Sequence, residues 1–139
     1  MSARALLEIK VPARVESLKS IRDAVSMVLN KIGVENAMCE QLKLVVDEAA
    51  ANVIRHAYTN CDDGFLSLCV RRTRGRLRFT MRDHAPCVDL KKIKLRERST
   101  CHPGGLGLHF INDIMDRWTL RPLRRGGNVL VMTKHVRLK

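Results

Sequence analysis

The sequence predicts an α+β fold: a two-layer sandwich with a mixed, mostly antiparallel sheet and three helices on one of its faces. Three observations lead there. Apolar residues recur at every second position in some stretches and at every third or fourth in others, so strands and helices are both present. Their order is strand, helix, helix, two strands, loop, helix, two strands, which is not the strict alternation of a doubly wound parallel sheet. Each strand carries apolar side chains on one face and polar ones on the other, as in an antiparallel sheet covered on one side and wetted on the other.

The elements follow in order. Leu7, Ile9 and Val11 alternate with Glu8 and Lys10, and Pro12 closes this first strand. Val15, Leu18, Ile21, Val25, Val28, Leu29 and Ile32 then recur at helical spacing until Gly33 stops them. A second helix is expected from near Glu35 towards His56, with Leu42, Val45, Val46, Ala49 and Val53 as its apolar stripe. Alanines at 49, 50 and 51 keep part of it slim, so that another group can approach closely. Thr59–Gly64, "TNCDDG", is a turn by composition. Leu66, Leu68 and Val70 mark one strand and Leu77, Phe79 and Met81 the next, with "TRG" at 73–75 as the hairpin turn. Residues 84–103 show no period, and an aperiodic stretch that long in a compact domain is usually functional or mobile. Beyond the glycines a third helix carries Leu108, Ile111, Ile114 and Met115, and the chain finishes as a hairpin turning at "RRGGN".

With 139 residues, 45% of them hydrophobic and only 4% aromatic, the chain suits one domain over 1–139 with an aliphatic core. No apolar run approaches the roughly 20 residues that cross a bilayer, and the first residues lack a signal-peptide centre. A soluble cytoplasmic protein is therefore expected, with no membrane partner. Five cysteines without a Cys-x-x-Cys pair argue for reduced thiols rather than a disulfide framework or a zinc site. The net charge of +12 draws polyanions. The strands lack the interleaved aromatics of a base-stacking platform, so nucleic-acid binding is expected to be non-specific and steeply salt-dependent.

Three segments carry chemistry. In "DEAAANVIRHAY", Glu48 and Asn52 stand four apart and share a helix face. The amide oxygen of Asn52 suits a hard cation such as magnesium, which keeps waters and phosphates as its other ligands. The carboxylate of Glu48 suits the removal of a proton from an attacking hydroxyl or water. The plainer reading is an exposed polar pair. Asp83 lies just past the second hairpin strand, where a carboxylate can accept from an exocyclic amine such as that of adenine, or can simply be a turn aspartate. Gly104, Gly105 and Gly107 open the third helix, where free amides and the helix dipole favour phosphate; a flexible turn is the alternative.

In this order the three segments resemble the ATP-binding domain shared by gyrase-type ATPases, heat-shock chaperones, sensor histidine kinases and mismatch-repair proteins. Within that superfamily the chain looks most like the bacterial anti-sigma-factor serine kinases, over essentially its whole length. The matching residues are Glu48, Asn52, His56, Ala57 and Tyr58; Asp83, His84, Ala85, Val88 and Asp89; and Gly105, Leu106, Gly107 and Leu108. The resemblance implies the histidine-kinase-like (Bergerat) fold, with residues 88–103 as an ATP lid. It implies ATP and Mg2+ as cofactors, Glu48 as general base and Asn52 as magnesium ligand. His56, Asp83 and Ala85 would contact the nucleotide, Asp83 through the adenine amino group. Gly104, Gly105, Leu106, Gly107 and Leu108 would line the phosphate side. The implied partners are a sigma factor and an antagonist protein with a phosphorylatable serine, with a homodimer possible and no specific nucleic acid. One position departs from the pattern: Ala85 stands where the family has glycine, and a methyl there weakens a tight backbone approach by about 1 kcal/mol. This leaves a second expectation open, a protein-interaction module of the same fold without kinase activity. A complete sensor histidine kinase is not expected, because no separate dimerisation and phosphohistidine helices are present.

Overall fold

The structure, a computed structural model, describes residues 4–57, 64–84, 108–124 and 127–138. Its elements are β1 (Arg4–Pro12), α1 (Ser17–Ile32), α2 (Asn36–Ala57), β2 (Phe65–Thr73), β3 (Arg76–His84), α3 (His109–Ile114), β4 (Arg117–Pro122) and β5 (Asn128–His135). They form one five-stranded sheet in the order β1-β2-β3-β5-β4. All four pairings among the described strands are antiparallel, so the expected α+β sandwich is present without a parallel pair.

Register follows from the alternation. Leu7 stands opposite Val70, Val70 opposite Phe79, Phe79 opposite Met132, and Met132 opposite Trp118. This row, and the parallel row Ile9, Leu68, Met81, Leu130 and Leu120, faces the helices. Phe79, Met81, Leu68 and Met132 lose nearly all their exposure there, packing with Ile21, Val25 and Leu29 of α1 and Leu42, Val45 and Val46 of α2. Shifting any strand by one residue would turn its apolar row to water, so burial fixes the register.

Local chemistry sets the boundaries. Gly33 takes φ 88°, and its amide together with that of Val34 returns to the last carbonyls of α1, a left-handed stop that suits glycine. The β2–β3 hairpin turns through Arg74 (φ 48°) and Gly75 (φ 81°), the two positive dihedrals that match a tight turn to strand twist. An Arg22–Asp47 contact of 2.8 Å ties α1 to α2.

Three expectations need correction. Val15 lies outside α1 and is 67% exposed, because the helix begins only at Ser17; its match to the apolar period was accidental. Met115 ends α3 rather than belonging to it, although its side chain is still buried. Asp83 is not past the strand but inside it, opposite Leu66 on the buried face. Periodicity did not show this, because a carboxylate at an inward position breaks the apolar pattern.

Candidate functional site

Helix α2 is the hub, since it packs against both α3 and β3 and so brings distant residues of the chain into one neighbourhood. Glu48 sits half-buried on its inner half. Its Oε1 accepts the backbone amides of Phe110 at 3.1 Å and Ile111 at 3.2 Å. Those amides belong to the first turn of α3, where no carbonyl is available to them within the helix. Leu108 precedes that turn and offers no side-chain cap. A carboxylate from another helix supplies what the local sequence does not, and the helix dipole favours its charge.

Asn52 lies one turn further along α2. Its Nδ2 is buried and has no hydrogen-bond partner among the described residues. A buried amide without a partner costs on the order of 1–3 kcal/mol, so such a group calls for a ligand. Turning the carboxamide over exchanges nitrogen for oxygen at the same place. The residue therefore fits a ligand of either hydrogen-bond sense, including a metal bound through Oδ1. Among the described residues no three His, Cys, Asp or Glu side chains converge on a metal position, so a magnesium ion here would draw most of its oxygens from phosphates and water.

Asp83 is 1% exposed. The Nδ2 of Asn128, at the start of β5, donates to its Oδ2 at 3.3 Å. Gly127 lies directly against it. A Cβ at 127 would run into the carbonyl oxygen of Asp83 and come within 2.7 Å of Oδ1, and φ at 127 is +83°. The carboxylate is thus fixed from the β5 side by one side-chain amide and by a backbone that only glycine can bring so near.

Of the expected site residues, Glu48 reaches the start of α3 directly, Asn52 lies one turn along the same helix, and Asp83 lies on β3, against which α2 also packs. Leu108 is buried before α3. His56 lies in the last turn of α2, while Ala85, Gly104, Gly105, Leu106, Gly107 and the 88–103 segment fall outside the described residues. Gly127 and Asn128 are additions that sequence reasoning passed over. "RRGGN" reads as an ordinary hairpin turn, and the available signal was a polar residue at an inward strand position directly after two glycines.

Residues 11–134 match the family described as the histidine kinase-like ATPase domain. The chain belongs to that family. The Serine-protein kinase RsbW of Oceanobacillus iheyensis is 30% identical over 145 residues, covering 98% of this chain and 90% of that one. Its namesake from Bacillus thuringiensis strain Al Hakam is 28% identical over 138 residues, covering 94% and 84%. A crystal structure of the RsbU and RsbW domains of Rv1364c from Mycobacterium tuberculosis superposes with a TM-score of 0.67 at 16% identity. That match covers 94% of this chain but 32% of the larger protein, and at this identity it speaks for the fold alone. No described helix is long and apolar enough to cross a membrane.

Proposed function

We propose that this histidine kinase-like ATPase domain is a cytoplasmic anti-sigma factor that acts as an ATP-dependent protein serine kinase. It holds a sigma factor and phosphorylates a serine on an antagonist protein. The observation that carries the reading is the setting of α2. It presents a carboxylate and an unpartnered buried amide one turn apart, and it packs against β3, the strand that carries the buried Asp83. Kinship with proteins named serine-protein kinase supports the choice among the family's activities.

The surroundings of each residue support a distinct role. Asp83, pinned by Asn128 and closed in by Gly127, offers a fixed acceptor of the kind that an exocyclic adenine amine requires. Asn52 would hold magnesium through its amide oxygen. Bound Mg-ATP supplies the γ-phosphoryl group and the cation that neutralises its charge. Glu48 keeps Oε1 on the first turn of α3, and Oε2 accepts no hydrogen bond from a described residue. That second oxygen takes the proton of the antagonist's serine hydroxyl as its oxygen bonds to phosphorus and ADP departs. Positioning and charge carry most of the rate in such a transfer, which matches a site built of fixed dipoles.

A second reading rests on Ala85, which replaces glycine in the nucleotide motif. In it the domain binds partners, and nucleotide is weak or structural. Calorimetric titration with Mg-ATP and ADP, with Asn52→Ala as control, separates the two when joined to a phosphotransfer assay on the co-purified antagonist. The kinase reading expects saturable binding lost in Asn52→Ala and a phosphoserine product lost in Glu48→Gln. Nucleotide binding without any transfer would favour the interaction module. Absence of both would remove the nucleotide reading.

A further inference from the structure

Among the described residues all three helices pack on one face of the sheet, and the other face is strongly basic. Strand register aligns its side chains in cross-strand rows. Arg71 stands opposite Arg78, Arg78 opposite Thr133, and Thr133 opposite Arg117. A second row runs Lys10, Ser67, Arg82, Val129, Arg121. Directly opposed like charges destabilise a sheet, so this arrangement is unfavourable for the isolated fold. Among the described strand residues, Glu8 is the one carboxylate on this face, and it is engaged with Arg71 at 3.5 Å.

The positive charge gathers at one end of the face. A cleft of about 370 Å³ is lined there by Thr73, Arg74, Arg76, Arg78, Thr133 and His135. None of its three arginines forms an ion pair with a described residue. Guanidinium groups supply planar forks of donors that match phosphate oxygens, and the threonine hydroxyls add neutral donors.

We propose that this face binds the phosphate backbone of double-stranded nucleic acid without regard to sequence, with the cleft as its centre. The composition of the face decides between polyanions. Stable protein interfaces place apolar anchors at their centre and keep charge at the rim. Here two cationic rows flank a middle row of Glu8, Cys69, Thr80, Val131 and Thr119, and the valines of this face, Val129 and Val131, are only half-exposed, so no large apolar anchor stands at its centre. Interfaces with nucleic acid are more polar and far more positive. The exposed aromatic of this face, Phe65, lies at a margin with the Lys10 ammonium 5.0 Å from its ring centre, which leaves no row of rings for stacking unpaired bases. Contacts to phosphates position a duplex but carry no sequence information, hence the lack of specificity. This binding surface lies on the opposite side of the sheet from α2 and does not depend on the kinase reading.

The test is fluorescence anisotropy of a labelled random-sequence duplex, titrated with the whole chain at salt between about 50 and 200 mM. The triple variant Arg74→Gln/Arg76→Gln/Arg78→Gln should bind at least ~10-fold more weakly, and its log–log salt slope should fall by about 2–3, since each phosphate contact contributes ~0.9. The control Arg14→Gln/Lys19→Gln/Lys31→Gln removes the same formal charge from the helical side and should change affinity less than ~3-fold. The single variant Arg76→Gln, at an exposed position, should lower the slope by about one with an unchanged melting temperature. Equal losses in the two triple variants would overturn the proposal, because net charge alone would then explain binding. So would undetectable duplex binding at the lowest salt. Tighter binding to polyglutamate or to phosphatidylserine vesicles than to the duplex at matched salt would overturn it as well.

Discussion

The carboxylate of Glu48 caps a helix it does not belong to: it accepts the amide of Ile111 at 3.2 Å, across 63 residues of sequence. The residue proposed to take the serine proton therefore also holds the start of α3 in position. The two roles separate by substitution. Glu48→Ala should lower stability by about 1–2 kcal/mol in urea unfolding, the usual cost of a lost N-terminal cap. Glu48→Gln keeps an acceptor oxygen and should cost less than about 1 kcal/mol, the share due to charge at the dipole. Both should abolish phosphotransfer, so the loss of activity in Glu48→Gln cannot be assigned to unfolding.

Gly127→Ala places a methyl against the backbone and carboxylate of Asp83. With positive φ at that position, the expected loss is about 2 kcal/mol or more, read as a lower urea midpoint. Nucleotide affinity in calorimetry should fall with it, because Asp83 has to move for β5 to stay paired.

Asn128 tests the same carboxylate without added bulk. Asn128→Ala removes the donor to Oδ2 and should cost about 1–3 kcal/mol. Asn128→Asp should cost more, since two carboxylates would then face each other at a buried place. A melting series of the three proteins at neutral pH orders them: wild type above Asn128→Ala above Asn128→Asp.

Asp116 joins the start of β4 to the end of β5. The backbone amide of His135 donates to its Oδ2 at 2.7 Å and Lys134 pairs with Oδ1 at 3.3 Å. The His135 amide is the main cause that holds this carboxyl below the usual range; partial burial pushes against it, and Lys134 helps to lower it. A carboxyl lowered by folding adds stability that is complete above its unfolded pKa, about 3.9, and fades as pH falls through the folded value. Asp116→Ala should therefore be about 1 kcal/mol less stable at neutral pH. The gap to wild type should close as melts are repeated below about pH 4.

The sheet and the two long helices were legible because burial writes period into sequence: Leu66, Leu68 and Val70 face the core, and so do Ile21, Val25 and Leu29. Glu48 and Asn52 were legible as a pair because helical spacing alone puts them on one face. What they meet was not. The amides that Glu48 receives are backbone groups, which every residue carries, so no letter in the sequence marks them. Asn128 was hidden for the opposite reason, and so was the inward position of Asp83, which was named as a candidate but placed past its strand. Each is a polar residue at an inward strand position, and hydropathy reads such a residue as the end of a strand. Their partnership arises only when β3 and β5 lie side by side, and the glycine that permits it looked like turn punctuation.

The order β1-β2-β3-β5-β4 sets an order of assembly. Strands β2 and β3 are joined by a two-residue turn and can pair within microseconds. Strand β1, made before the other four, finds its neighbour only after both long helices and the whole of β2 have been made, with Arg4 meeting Arg72. Closing so wide a loop is an entropic burden that slows folding. The opening strand thus waits as an unpaired apolar edge until β2 has been made, and through that interval it needs shielding.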